Sequence, residues 1–154
     1  MANDDVDVLL ARLEDTPGRI AAAVEGRPAA ELAERMAAEE WSPLAVLAHI
    51  RSSDDFVSAR LIMMLVREEP QLPAFDERRW CDVMAYASAD FHELLTGFAF
   101  KRAELLRALR QLGPRDWQRK GHHESRGQIT MLDTLRLLVD HEAEHCLQLE
   151  TLLG

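Results

Sequence analysis

The sequence predicts an all-α protein, specifically an up-down four-helix bundle with long connections. Apolar residues recur at three- and four-residue spacing along almost the whole chain, and no segment shows the convincing alternation that is typical of a strand. Helix start and stop signals divide these segments into four long helices. At 154 residues, 47% hydrophobic and 29% charged, the chain is expected to form one domain over residues 1–154.

The first two helices are predicted from apolar periodicity and from the positions of proline. Helix one is expected over 5–25, with a kink or an interruption at Pro17, because proline lacks the amide hydrogen that a helix interior needs. A short helical turn is expected at 29–36. Helix two begins after Ser42, a hydroxyl N-cap followed by proline at the first helical position, and runs to about Glu68.

Segment 69–87 is long for a connection in a small bundle, which makes it a candidate lid or pocket wall. Its Trp80 is a candidate pocket residue, although tryptophans in such a chain serve first as packing anchors, and we expect the same of Trp41. Helix three is predicted over 89–111, with Ser88 as its N-cap.

A polar loop over 119–127 precedes the last predicted helix. His122 and His123 lie in this loop, where they either overhang the end of the bundle or are simply solvated. Helix four is predicted to begin after Thr130, which forms a capping box with Asp133 three residues later, and to run nearly to the last residue.

The charge and the cysteine content exclude several classes of function. The net charge is −9, the pI is about 5.1 and no basic cluster dominates a segment, so neither nucleic acid nor an anionic membrane surface is an expected partner. Apolar stretches are broken by charge before they reach membrane-spanning length, and the N-terminus is acidic, so a cytoplasmic location is expected. Cys81 and Cys146 form no CxxC motif and are expected to be reduced thiols rather than nucleophiles.

Three histidines give the main indication of function. His141 and His145 are spaced i, i+4 on predicted helix four, so both rings lie on one face, and His49 lies on the apolar face of predicted helix two. Three imidazoles that converge would form a metal site with open positions for water or substrate. The alternative is that each histidine is a hydrogen-bonded core residue. Three idle imidazoles in a core are costly, because an unpaired buried polar group costs about 1–3 kcal/mol.

Residues 141–145 also satisfy the H-E-x-x-H pattern of zinc proteases, in which the glutamate is the general base. A protease of this class needs a third ligand downstream. The residues after His145 include no histidine or aspartate, and Glu150 is only five residues away on the same helix. We therefore expect no protease, and we expect Glu142 and Glu144 to lie on the solvated face.

Four segments resemble the DinB-like (DinB/YfiT) superfamily of small metal-binding proteins. They agree in order over nearly the whole chain and read EWSPLAVLAH at 40–49, PAFDERRW at 73–80, DWQRKGHHESRGQIT at 116–130 and DHEAEHCLQ at 140–148. Agreement over four ordered segments is far more specific than any single motif.

The resemblance implies a four-helix bundle whose divalent metal, most often zinc or nickel, is bound by His49, His141 and His145. It also implies a homodimer. Its characterised members are transferases and isomerases that depend on a low-molecular-weight thiol such as bacillithiol or mycothiol. The expected function is therefore a metal-dependent enzyme of the thiol-dependent S-transferase type, acting on a small-molecule substrate, with no catalytic residue identified and no further cofactor. A metal-dependent hydrolase and a non-catalytic, stress-associated metal-binding protein remain the alternatives.

Overall fold

A computed structural model describes residues 2–35, 37 and 40–154. Its helices and strands, in chain order, are α1 Ala2–Ala23, α2 Ala29–Leu32, α3 Pro43–Val66, β1 Gln71–Leu72, α4 Glu77–Val83, a 3-10 turn Tyr86–Ser88, α5 Phe91–Leu109, a 3-10 turn Asp116–Gln118, β2 Lys120–His123, β3 Gly127–Thr130 and α6 Met131–Leu153. The four long helices α1, α3, α5 and α6 pack together, so the predicted bundle is confirmed. Position 36, where the short second helix was expected to end, lies outside the described residues.

The bundle core has two adjoining apolar clusters. One surrounds Phe91 and Phe98 of α5, and the other surrounds Leu13 of α1 and Leu135 of α6; all four side chains are almost completely buried. Burying a side chain of this size contributes about 1.5–3 kcal/mol, so the two clusters supply the main driving force for folding. Helix α6 contributes residues to both clusters and packs against α1 and α3. None of the described helices is long and apolar enough to cross a membrane.

Of the two outcomes predicted at Pro17, an interruption is wrong, because α1 continues through this residue, and a kink stays a prediction. Proline leaves the carbonyl of the residue four positions earlier, Leu13, without an intrahelical donor. The Arg102 guanidinium of α5 donates to that Leu13 oxygen at 2.9 Å. A side chain from a neighbouring helix thus replaces the missing backbone hydrogen bond.

The helix starts are set by side chains that accept from the first backbone amides. Ser42 caps α3 by accepting from the amide of Ala45, as predicted, and the capping box of Thr130 and Asp133 at the start of α6 is confirmed. The predicted cap of the third long helix is wrong. Asp90, not Ser88, accepts from the first amides of α5, and a carboxylate there also interacts favourably with the helix dipole.

The two predicted connections contain a small sheet that the sequence did not reveal. Its order is β1-β2-β3, with β1 parallel to β2 and β2 antiparallel to β3. Strands of two to four residues are too short for an alternating pattern to show. Gly121 of β2 lies so close to β1 that an added Cβ would sit 2.7 Å from Leu72 Cδ1. The sheet joins the connection after α3 to the hairpin before α6.

Candidate metal centre

The structure brings His49 of α3 together with His141 and His145 of α6; these three residues are called the histidine cluster. The ring centroids are 4.9 Å apart for His49 and His141, 4.6 Å for His49 and His145, and 4.5 Å for His141 and His145. One nitrogen from each ring lies within 4.8 Å of the others. The helix spacing aligns the two rings on α6, and the packing of α3 against α6 supplies the third.

Burial lowers the pKa of two rings of the histidine cluster, those of His141 and His49. The pKa of His141 is lowered from 6.5 to about 4, first by desolvation and then by His145 and His49. The pKa of His49 is also lowered by burial and by His145, an effect that Glu77 opposes. Neutral imidazoles have a free lone pair, which is the state that binds a cation.

Hydrogen bonds fix the orientation of at least one ring. His145 Nδ1 lies 2.8 Å from Gln148 Oε1, and because the amide oxygen only accepts, Nδ1 carries the proton and Nε2 keeps its lone pair. Glu77 Oε2 lies 4.0 Å from His49 Nδ1 and accepts a hydrogen bond from Ser53 Oγ at 2.9 Å. Neither Gln148 nor Glu77 was predicted from the sequence as a site residue. The position of Gln148, one helical turn after His145, could have indicated that it contacts the His145 ring.

The donor set fits a divalent ion of the first transition row. Imidazole nitrogens bind zinc at about 2.0–2.1 Å, so nitrogens around one ion lie about 3 Å apart or somewhat more. His49 Nε2 and His141 Nε2 are 2.9 Å apart, and only one of them can carry a proton in this contact. The nitrogen donors are of the type that zinc and nickel accept.

Trp41 was expected to be a packing anchor, but it is 45% exposed and covers the histidine cluster. Its ring lies parallel to that of His145 at 6.3 Å and edge-on to that of His49 at 5.4 Å. Trp80 instead donates a hydrogen bond to Asp55 at 2.8 Å, which anchors α4 to α3. One tryptophan therefore shields the candidate site and the other supports its wall.

Two cavities border the histidine cluster. The His49 cavity, of about 340 Å³, is lined by Trp41, Ala45, Ala48, His49, Ser52, Glu77, Arg78, Cys81, Asp82 and Ala87. The His141 cavity, of about 380 Å³, is lined by Ser53, Val57, Arg60, Glu77, His123, Arg126, Ile129, Thr134, Leu137, Leu138, Asp140, His141 and Glu144. Segment 69–87 thus supplies walls, as its length suggested, and the β2–β3 hairpin supplies another through His123, Arg126 and Ile129. Burial raises the pKa of Cys81, which does not favour a reactive thiolate.

The expectation that Glu142 is solvated is wrong, whereas Glu144 is exposed as expected. Glu142 is 1% exposed, and its two oxygens accept from the Arg102 guanidinium at 2.5 and 2.9 Å. Asp54 accepts from the same guanidinium at 2.9 Å. We call Arg102, Glu142 and Asp54 the ion cluster. The glutamate of the H-E-x-x-H pattern is therefore engaged in an ion pair in the bundle interior.

The sequence model of the DinB superfamily matches residues 12–149. Among solved structures, the chain is similar to YfiT from Bacillus subtilis, described as a probable metal-dependent hydrolase with an unusual four-helix bundle topology. The TM-score is 0.84 at 24% identity, over 95% of this chain and 84% of YfiT.

The fold is also similar to that of the mycothiol-dependent maleylpyruvate isomerase. The TM-score is 0.72 at 14% identity, over 93% of this chain and 60% of the isomerase, so this chain spans well under two thirds of that protein. No curated protein matches the sequence. At these identities the two solved structures establish the fold alone.

Proposed function

The chain belongs to the DinB superfamily, and we propose that His49, His141 and His145 bind one divalent metal ion, zinc or nickel. Convergence of the three rings is the observation that carries the proposal, and burial, which lowers the pKa of His141 and His49, supports it. The description of YfiT as a probable metal-dependent hydrolase is consistent with it. Residues 1–154 are proposed to act as one domain, and a homodimer remains a prediction.

We further propose that the protein is a metal-dependent enzyme of the thiol-dependent S-transferase type. A transfer between two molecules needs room for both beside the ion, and the His49 and His141 cavities lie on the histidine cluster. When bound, the ion would supply Lewis acidity that lowers the pKa of a substrate thiol. The name of the mycothiol-dependent isomerase, which shares this fold, supports a low-molecular-weight thiol as one substrate.

The chain's own residues would orient the ligands, exclude water and accept the proton. Gln148 holds the His145 ring through Nδ1, and Trp41 covers the face of that ring. Glu77 lines both cavities, which places its carboxylate where it can take up the proton that a thiol releases. Its hydrogen bond from Ser53 fixes that carboxylate at the start of α4.

A metal-dependent hydrolase is the second candidate, because the same Glu77 carboxylate can take a proton from water instead of from a thiol. The description of YfiT favours this alternative. A purely structural metal site is less well supported, since a structural site is closed by protein ligands, whereas cavities open on both His49 and His141.

The test is elemental analysis by plasma mass spectrometry on the untagged protein, beside the His141→Ala/His145→Ala double variant. We expect near-stoichiometric zinc or nickel in the first and almost none in the second. His92→Ala is the matched control, because His92 is exposed on α5, where its ring contacts the Arg27 carbonyl and the Phe91 ring. A chain that carries no metal and takes up none on titration would overturn the proposal.

Activity assays on the metal-loaded protein then distinguish thiol transfer from hydrolysis. Disappearance of a thiol together with an electrophile supports transfer, and ester or amide cleavage that proceeds without thiol supports hydrolysis. Absence of both activities in a protein that binds metal stoichiometrically would favour the non-catalytic alternative.

A further inference from the structure

The His141 cavity carries positive charge on one wall and apolar surface on another. Arg60 of α3 and Arg126 of the β2–β3 turn line it together with His123. Its apolar lining comes from Val57, Ile129, Leu137 and Leu138. A cavity of this size that combines apolar walls with a few polar groups is the usual form of a small-molecule site.

Arg60 is held in place by its neighbours. Its Nη2 donates to the Pro73 carbonyl at 3.0 Å, and its guanidinium lies 5.1 Å from the centre of the Phe75 ring, which stacks on Phe56. Its Nε is buried and has no hydrogen-bond partner among the described residues, so any contact with a ligand in the cavity falls to the terminal nitrogens. A fixed guanidinium loses little entropy when it binds an anion.

Within the described part of the chain, Arg126 forms no hydrogen bond and no ion pair. The neighbouring carboxylate of Glu124 is engaged elsewhere, since it accepts from the Ala74 amide at 2.7 Å. Burial lowers the pKa of Arg60, Glu77 opposes this effect and Arg126 adds to it. Burial and then Arg60 and Arg126 lower the pKa of His123, so both arginines act within the cavity, although Glu77 offsets part of the charge of Arg60.

Acidic side chains at the same cavity limit the charge of a ligand. Three carboxylates, those of Glu77, Asp140 and Glu144, line the same cavity. Glu77 accepts from Ser53, Asp140 lies 3.7 Å from Arg12 outside the cavity lining, and Glu144 is exposed. These carboxylates do not neutralise the two arginines by direct pairing, but they repel a second negative charge. A ligand with a single negative charge therefore suits the cavity better than a dianion does.

We propose that the His141 cavity binds the carboxylate of a small substrate with an apolar body, and that Arg60 and Arg126 hold this carboxylate. The apolar body would lie against Val57, Ile129 and Leu138, next to His141. This inference rests on the proposed function and deepens it, since it names the class of the second substrate. The His49 cavity is then left for the thiol.

The first test compares benzoate with benzamide, which has the same shape without the charge. Both are titrated by calorimetry into zinc-loaded and metal-free protein, and inorganic phosphate is the third probe. We expect benzoate to bind both forms more tightly than benzamide and phosphate, because the arginines do not depend on the ion. Equal binding of benzoate and benzamide, or tighter binding of phosphate, would overturn the carboxylate assignment.

The second test removes the charges one at a time. Arg126→Gln and Arg60→Gln should each weaken benzoate binding about 10-fold, the usual loss for one charge-assisted hydrogen bond. Arg126 is exposed, so its variant is expected to fold; Arg107→Gln, an exposed arginine on α5, is the matched control. Benzoate affinity that does not change in Arg126→Gln contradicts the proposal.

Benzoate binding to metal-free protein distinguishes a failure of this inference from a failure of the proposed function. If the His141→Ala/His145→Ala variant carries no metal and still binds benzoate through the arginines, the carboxylate site stands by itself. If the wild-type protein binds metal but benzoate binds only in the zinc-loaded form and ignores the arginine substitutions, the metal proposal survives and the carboxylate site is wrong.

Discussion

His141 and Glu142 are neighbours on α6, yet they belong to two regions of opposite character. His141 lies in the histidine cluster, which is half-buried and open to a cavity, and burial lowers the pKa of His141. Glu142 lies in the ion cluster, which is almost fully buried and charged. Burial lowers the pKa of Arg102, but its bonds to Glu142 and Asp54 raise it above its ordinary value, so the guanidinium stays charged.

The difference between the two clusters lies in how much bonding capacity the protein itself uses. Arg102 directs the hydrogen bonds of its two terminal nitrogens to Glu142, Asp54 and the Leu13 carbonyl, and its Nε, which has no partner among the described residues, is buried out of reach of a ligand. Among the described residues, the nitrogens that converge in the histidine cluster accept from no protein donor apart from the contact between His49 and His141. An inward-facing polar residue is thus structural when its partners are internal, and a candidate for function when some capacity is left over.

The largest expected effect comes from removing the cation of the ion cluster. Arg102→Met should lower the free energy of unfolding by about 3–5 kcal/mol, because it leaves two carboxylates buried without their cation. The Leu13 carbonyl beside Pro17 also loses its donor. Chemical denaturation of the metal-free protein measures the change.

Arg107→Met on the same helix is the control for the arginine substitution. Its side chain is 77% exposed and pairs only weakly with Glu104 at 4.0 Å, so a change below about 0.5 kcal/mol is expected. Folded Arg102→Met protein should still bind zinc. If Arg102→Met is as stable as Arg107→Met, the ion cluster does not stabilise the bundle, and the contrast with the histidine cluster is wrong.

The next effect concerns the histidine cluster and leaves stability almost unchanged. Gln148→Leu removes the acceptor that holds Nδ1 of His145, and loss of such a supporting hydrogen bond lowers metal affinity by about 10–100-fold. Competition against a chelator of known zinc affinity provides the measurement. Gln128→Leu, at an exposed position on β3, is the control. An unchanged zinc affinity in Gln148→Leu would show that this hydrogen bond does not orient the ring.

Acid should lower the free energy of unfolding through Asp55, which follows Asp54 of the ion cluster in the sequence. Burial would raise the pKa of Asp55, but hydrogen bonds from Lys101, Trp80, Tyr86 and Arg51 lower it from 3.8 to about 2. The folded-state pKa lies below the unfolded one, so the stabilisation is present above about pH 4 and is lost as the pH falls to 2.

The loss through Asp55 is expected to be about 1–2 kcal/mol, because the group is half-buried and solvent screens part of the interaction. Denaturation midpoints measured between pH 5 and pH 2 check it. The variant Asp55→Asn should be less stable at pH 5 and should show a flatter pH dependence. Parallel curves for the two proteins would contradict the role of Asp55.

The sequence predicted what local rules determine. Apolar periodicity gave the four long helices, the hydroxyl caps gave the starts of α3 and α6, and the resemblance to the DinB superfamily was confirmed. The convergence of His49 with the pair on α6 matches the expected ligand set, although metal binding itself stays a proposal.

What the sequence could not predict depends on partners that are distant along the chain. Glu142 looked solvated because its cation, Arg102, is 40 residues away on another helix. The continuity of α1 through Pro17 depends on the same arginine, and Glu77 approaches His49 only because α4 packs against α3. The sheet escaped detection because its pairing joins β1 to a hairpin about 50 residues later.

The smallest expected effect is a loss of overall stability that changes neither the ion cluster nor the histidine cluster. Thr130→Ala removes the capping box at the start of α6 and should lower the free energy of unfolding by about 1 kcal/mol. Because Thr130 lies about three helical turns before His141, zinc affinity of the folded protein should not change. Denaturation and zinc competition on the same preparation measure both quantities. A loss of zinc affinity would mean that the start of α6 positions the histidine cluster, so that stability and ligand geometry would not be separable along this helix.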